Sequence, residues 1–412
     1  MHDVARVRNT YDVNAVVLFK FGVQRKQKRR VSASPTTLSR PDFATLARFE
    51  VSHHLVHICN MAFLSSEACS TQAFSVLPLE LFLHVLDQLV GTSSGLQPIA
   101  YNSSSHATKT LRTLTLVSRN VYYVASQYLY SHCLYLDNCT NYTRLRRTLG
   151  LNIGHHPQTL KYGEAGRSDE LFARTTRYMT SIFISPLKAD KDIDTPMVRL
   201  PQVIDLCCTL GRTLKRLALD LHPIYASTSE VLHVKPHLSE NNIFLHMPHL
   251  EELITSYNAV NYFPYAPPNL KRLAITFQEL KDTEVDFCFS TSSLETLVFL
   301  RPPELAASDV DLVFSSYKGS SLDVILVDVN SNHRTPTGTR AWNESDAVRM
   351  WEIDVPTSFY GDEDELVLCD THVWTHGVNG TLWSQGKRRM ASWAEIQRRL
   401  AGPVHLLADP LP

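Results

Sequence analysis

Glycine is scarce in this sequence, at 15 of 412 residues, about 4% against the ~7% of an average chain. That leaves little material for phosphate-cradling loops or propeller turns. No Gly-x-Gly-x-x-Gly or Walker-type loop occurs, and Gly386-Lys387 lacks both the upstream spacing and a following Ser or Thr. Cysteine is sparse as well. Eight residues without a single Cys-x-x-Cys argue against a disulfide framework and for reduced thiols in an intracellular protein. No apolar run reaches the ~18 residues that a membrane span needs. The stretch 13–23 is interrupted by Lys20 and followed, rather than preceded, by its basic cluster, the wrong polarity for a signal peptide. A cytoplasmic or nuclear protein with no membrane partner is expected. Charge of one sign is not in excess either: 40 Lys+Arg against 41 Asp+Glu leave −1, which excludes a globally basic nucleic-acid binder.

What is present is a globular composition, 44% hydrophobic and 20% charged, long enough for two to three domains. The charge balance hides an asymmetry. Residues 1–60 carry ten Lys/Arg and four Asp/Glu, a net +6 that leaves −7 for the rest. Arg25-Lys26-Gln27-Lys28-Arg29-Arg30 supplies most of the excess and a Ser/Thr/Pro-rich stretch, 32–41, follows it. This reads as a flexible basic extension, and Met61 offers a second plausible start.

Residues 77–90 predict a helix. Pro78 suits its entry, Glu80 its first turn, Leu81, Val85 and Leu89 recur at i, i+4, i+8 beside Leu86, and Gly91 ends it. A Ser-rich loop, 92–109, leads to one long predicted helix over 111–130 with a dense tyrosine side: Tyr122, Tyr123, Tyr128 and Tyr130. Residues 132–137 alternate like a strand. Beyond them the pattern turns to short repeated units, apolar at the first, fourth and sixth positions. They are Leu214/Leu217/Leu219, Leu270/Leu273/Ile275, Leu294/Leu297/Phe299 and Leu322/Ile325/Val327, with Leu250/Leu253/Thr255 and Met179/Ile182/Ile184 as weaker copies. Unit starts at 214, 250, 270, 294 and 322 are 36, 20, 24 and 28 residues apart, and three of these intervals lie in the leucine-rich-repeat range. Helices are predicted between them over 200–210 and 308–317, the latter with Ser308 and Asp311 as its capping pair. Residues 334–412 depart from the repeat. They hold the acidic loop 362–365, then Trp374, Trp383 and Trp393, and a last helix capped by Ser392 and Glu395.

Enzyme signals are weak. Gly91-Thr92-Ser93-Ser94-Gly95 has the letters of a nucleophile elbow, but a helix precedes it and a polar loop follows, where the chemistry needs strand then helix. Glu50, His53 and His57 share a helical spacing with Cys59 nearby, a pattern that reads as ordinary surface or core histidines. His372 and His376 flank Val373-Trp374-Thr375, which favours a strand and would hold the imidazoles apart. The acidic run lacks the glycine and alternate ligands of a calcium loop. Lys387-Arg388-Arg389 reads as an exposed helix lead-in within an acidic body, with no nucleic-acid role. No catalytic residue, cofactor or metal site is expected.

Leu77-Pro78, Glu80-Leu81, Val85-Leu86 and Leu89, followed by Leu116-Val117-Ser118-Arg119 and Leu129-Tyr130, resemble the F-box family over about 60 of the 412 residues. The loop 91–110 is longer than usual for that motif, and Tyr122 or Tyr123 stands where a Trp is common. The resemblance implies a three-helix module that binds the Skp-type adaptor of a cullin–RING ubiquitin ligase. It places Leu77, Pro78, Leu81, Val85, Leu86, Leu89, Leu116 and Val117 at the adaptor. The degenerate repeats resemble the substrate-capturing part of such receptors, with a concave face of parallel strands for an unknown protein substrate. The fold class expected is α/β: a short F-box-like module over 61–140, then an irregular leucine-rich-repeat solenoid over 141–333 with a parallel sheet, and a capping region over 334–412. The role expected is that of a non-enzymatic substrate receptor. A repeat scaffold whose first helices are only a cap is the alternative.

Overall fold

Leu217, Leu253, Leu273 and Leu297, picked out by their spacing, stand side by side in one row of a parallel sheet. The computed structural model describes residues 78–91, 97–151, 175–185, 198, 200–221, 242–277, 280, 282–329, 335–357 and 364–401, all within the unit Val51–Pro412. The basic extension 1–60 with Glu50, His53, His57 and Cys59, the alternative start Met61, and Leu77 and Ser93 lie outside the described residues.

Three helices come first: α1 (Leu79–Leu89), α2 (His106–Leu114) and α3 (Arg119–His132). The single helix predicted over 111–130 is two helices. Ser118 is extended, at φ −159° and ψ 166°, and accepts from the Val121 N–H, so it caps α3 and breaks the chain away from α2; Ser favours such a cap over a helix interior. α2 also begins inside the predicted loop, where Ser105 accepts from the Thr108 N–H.

The remaining elements are β1 (Tyr135–Leu136), α4 (Cys139–Thr148), β2 (Ser181–Ile184), α5 (Leu200–Leu210), β3 (Arg216–Leu219), β4 (Glu252–Ser256), α6 (Asn258–Tyr262), β5 (Arg272–Thr276), α7 (Asp282–Phe289), β6 (Thr296–Leu300), α8 (Ala307–Ser316), β7 (Leu322–Val329), β8 (Val348–Val355), α9 (Glu365–Val378), β9 (Arg388–Arg389) and α10 (Trp393–Leu400). The fold is therefore mixed α/β. Nine strands form one sheet in chain order, β1 to β8 parallel and β9 antiparallel to β8. Ten α-helices occur among the described residues.

Both faces of the sheet are buried, as parallel strands require. On one face Ile182, Leu217, Leu253, Leu273, Leu297, Val324 and Met350 form a continuous row, covered by Tyr142 and Leu145 of α4, Val203 and Leu206 of α5, Phe287 of α7 and Val313 of α8. Thr255 sits in the next row of this face at the cost of a methyl, its hydroxyl donating to the Leu219 carbonyl at 3.1 Å. On the opposite face Phe183, Ala218, Ile254, Ala274, Val298 and Ile325 pack against Cys369, Val373 and Val378 of α9. The face expected to be open to a substrate is thus covered by the chain's own helix, which touches β4 through β8.

Three further readings change. The unit Leu322/Ile325/Val327 is out of phase. Leu297 pairs with Val324, so Val324 and Leu326 face the helices while Ile325 and Val327 face α9; a strand apolar on both faces carries no alternation to set its phase. The sheet does not stop at residue 333, because β7 and β8 pair from Leu322↔Val348 to Val329↔Val355. The capping carboxylate of α8 is Asp309, which accepts from the Ala306 N–H at 2.9 Å, two residues ahead of the expected pair. The cap of α10 is as read: the Ser392 N–H donates to Glu395 at 2.8 Å.

Candidate docking surface

α1 begins at Pro78, whose carbonyl accepts from the N–H groups of Leu81 and Phe82, both at 3.1 Å. This entry fixes which way the helix rolls. Phe82, Leu86 and Val90 point inward to Leu111, Leu114, Val121 and Ala125, forming a small core of their own. Tyr128 of α3 donates to the Asp87 carboxylate at 2.7 Å and Tyr101 to the Val90 carbonyl at 2.9 Å, tying the helices together. Burial first, and then the Asp87 carboxylate, hold the Tyr128 hydroxyl well above the usual phenol range.

With the inward face fixed, the leftover apolar side chains stand in solvent. Leu79 and Leu81 on the first turn of α1 are 50% and 52% exposed, Leu116 between α2 and α3 is 85% exposed, and Tyr122 and Tyr123 are 45% and 60% exposed. Thr115, Leu116, Ser118, Tyr122 and Tyr123 line one shallow hollow, with the two tyrosine rings edge to face at 5.7 Å. Of the residues expected at an adaptor, Pro78, Leu81 and Leu116 are exposed, Val85, Leu89 and Val117 are half-buried, and Leu86 is fully enclosed in the module's own core. Leu89 and Val117 lean on that core as well. Leu79 was not singled out from the sequence, since its neighbour Leu81 took the helical spacing.

The other candidate groups have structural partners. His372 and His376 lie on helix α9, not on a strand, and their rings are 4.3 Å apart. Burial and the neighbouring His376 lower the His372 pKa to about 4. His376 Nδ1 lies 2.9 Å from the Thr381 hydroxyl and 2.7 Å from the Gln385 amide. Among the described residues no three His, Cys, Asp or Glu side chains come together as a metal ion held wholly by the protein would need. Asp364, from the acidic run, is the N-cap of α9, accepting from Leu366 and Val367. The Lys387–Arg389 cations do not lead a helix in; two of them form β9. Lys387 binds Asp323 at 2.6 Å, Arg388 binds Glu352 at 3.0 Å and Asp354 at 3.2 Å, and Arg389 reaches Glu395. Burial raises the thiols of Cys207 and Cys288 far above their ordinary range and that of Cys133 to about 11, which keeps them in the unreactive protonated form. No helix among the described residues is long and apolar enough to cross a membrane.

The helical module is joined to the sheet through residues 97–101. Arg216 at the start of β3 donates to the Gln97 and Pro98 carbonyls, the Ile99 N–H donates to the last-turn Val378 carbonyl of α9, and the Tyr101 N–H donates to His132. Gly380 makes this junction possible. Its φ is +73°, and a Cβ there would overlap the Gln97 carbonyl. No protein-family model matches the chain, and no curated protein matches it.

Proposed function

We propose that the chain is a non-enzymatic substrate receptor of a cullin–RING ubiquitin ligase. Its F-box-like module, α1 to α3, binds the Skp-type adaptor, and an irregular leucine-rich-repeat solenoid holds the protein substrate. The observation that carries the reading is the set of large apolar side chains left in water on so small a unit: Leu79, Leu81, Leu116, Tyr122 and Tyr123. A helix with an apolar outer stripe is suited to a partner's groove, and exposed aromatic and leucine side chains in one module mark an interaction surface. The strand order, each β-strand beside its sequence neighbour, supports the repeat reading. Because α9 covers the middle of the second face, the receptor takes its substrate elsewhere than on that apolar floor. It performs no covalent chemistry and acts by raising local concentration.

The test is adaptor capture by the full chain carrying Leu81→Asp and Leu116→Asp together. Both side chains are more than half exposed, so circular dichroism and the melting midpoint should stay as in the wild type. Binding to a Skp-type adaptor should fall by more than about 100-fold, the loss of two apolar anchors of ~1.5–3 kcal/mol each. Undiminished capture would show that these exposed side chains are not the docking surface, and no capture by the wild-type chain would leave the module as a cap on the repeats.

A further inference from the structure

The second half of α9 carries two histidines one turn apart, His372 and His376. Residues at i and i+4 stand one above the other on a helix, with Cβ atoms ~5–6 Å apart. Here the imidazole rings lie 4.3 Å apart, tilted at 45°. Both are half-buried, on the flank of the helix beside Val373 and Gly377, which face the sheet. The strand reading of this stretch held the imidazoles apart; the helix brings them together. His376 is oriented through Nδ1, which meets the Thr381 hydroxyl and the Gln385 amide, so Nε2 is its remaining nitrogen. His372 Nε2 is shut off from water and meets no donor or acceptor. A buried polar atom without a partner needs an explanation, and a water or an ion is a common one.

Two imidazole nitrogens bound side by side to one ion, each ~2.0–2.1 Å from it, stand about 3 Å apart. Rings with centres 4.3 Å apart reach that spacing by small turns about χ2, a broad torsion in histidine. The outer contacts suit a ligating His376. Thr381 donates its own hydroxyl hydrogen to the His376 carbonyl, which leaves its oxygen free to accept the Nδ1–H. The Gln385 amide, turned to present its carbonyl, does the same. Such an outer hydrogen bond fixes the tautomer that offers Nε2 to a metal. Paired imidazoles select zinc, nickel and copper over the oxygen-seeking magnesium and calcium ions. With two protein ligands the rest of the shell is water, so the site is open, unlike a four-ligand structural zinc site.

We propose that His372 and His376 form a binding site for a divalent transition-metal ion, a clip across the last two turns of α9. The two nitrogens meet only where the helix is formed, so the ion stabilises the folded α9 against its unwound form. The site does not depend on adaptor docking, because none of its residues belongs to α1, α2 or α3.

The test is titration of the metal-free full chain with Zn²⁺ and with Ni²⁺, and with Mg²⁺ as the oxygen-seeking control, read by calorimetry and by the melting midpoint. The chain has 18 histidines, so the signal is the difference between the wild type and the double variant His372→Gln/His376→Gln. One site for Zn²⁺ and Ni²⁺ should vanish in the double variant, and the rise in melting midpoint on adding Zn²⁺ should shrink with it. Each single variant should bind at least about tenfold more weakly. Thr375→His, at an exposed position three residues after His372, brings a third imidazole within reach and should tighten the site several-fold. Three results would overturn the proposal. The first is equal binding by the wild type and the double variant, which would mean adventitious ions on other histidines only. The second is Mg²⁺ bound as tightly as Zn²⁺. The third, decisive where the double variant does not fold, is unchanged affinity in Thr375→His.

Discussion

His132 illustrates how burial fixes a protonation state. The Gln97 amide nitrogen lies 2.7 Å from its Nδ1, a contact that requires Nδ1 to be bare. Burial first, then the Arg216 guanidinium, lowers its pKa from 6.5 to about 4. Between these values the unfolded chain binds more protons than the native one, so stability falls as pH drops from 6.5 toward 4. At pH 5 the loss from this one group is about 1–2 kcal/mol. His372, also lowered to about 4, acts in the same direction. Glu352 acts in the opposite one. Burial raises it from 4.5 against the pull of Arg388 and Arg301, so just above pH 4.5 the native state holds the extra proton and acid relieves the strain there. Urea midpoints at pH 7 and pH 5 measure the balance, and His132→Gln should shrink the difference between them. An unchanged difference would mean that the acid sensitivity arises elsewhere.

At the scale of the element, α9 lies unusually close to β4. A Cβ placed on Gly377 would come within 2.5 Å of Ile254 Cδ1, and Ile254 is fully buried. Gly377→Ala gains about 1 kcal/mol of helix propensity but overpacks the contact at about 1–3 kcal/mol. A net loss of about 1 kcal/mol is expected, and Ile254→Val, which removes the clashing methyl, should recover it when the two changes are combined. A stabilised Gly377→Ala protein would show that α9 can lift away from the sheet. The legibility of elements from sequence followed their surroundings. β3, β5 and β6 were readable because leucines fall on a fixed spacing and β-branched or small residues take the opposite face. β7 was misphased and β8 missed because their residues are apolar on both faces or interrupted by Arg349, Glu352 and Asp354, charges that find partners only in the folded sheet. α9 was read as a strand at its centre because Val373 and Trp374 favour β structure locally, whereas a ready-made apolar floor and the Asp364 cap decide for the helix. Of the exposed residues of the helical module, Leu81 and Leu116 were legible through their motif, and Leu79 was not. Nor was the closeness of His372 and His376, because the strand reading of 373–375 sets their rings apart.

At the scale of the molecule, α9 is the lid of the second core. Val373, Cys369 and Val378 are nearly or fully buried beneath it, together with Ile254, Val298 and Ile325 of the sheet. At ~1.5–3 kcal/mol for each large side chain so enclosed, removing the helix forfeits an amount comparable to the whole ~5–15 kcal/mol by which a domain is stable. A chain ending after Thr357 should therefore bind the dye ANS and lose its cooperative unfolding transition, whereas one ending after Ser392, which lacks the surface helix α10 and the residues after it, should retain both a dry core and a sharp transition. Cooperative unfolding of the shorter chain would show that the sheet holds itself. The clamp of residues 97–101 against Val378 and Gly380 also sets an order of events during synthesis. Translation delivers the amino-terminal helices first, at ~5–20 residues per second, yet their seat on the sheet is finished by a segment that follows them by more than two hundred residues. For about 10–40 seconds at that rate the nascent chain shows a bare apolar floor that a chaperone has reason to shield. A message cut short before codon 365 yields a product that never hides it, so every truncated copy advertises itself to the quality-control machinery of the cell.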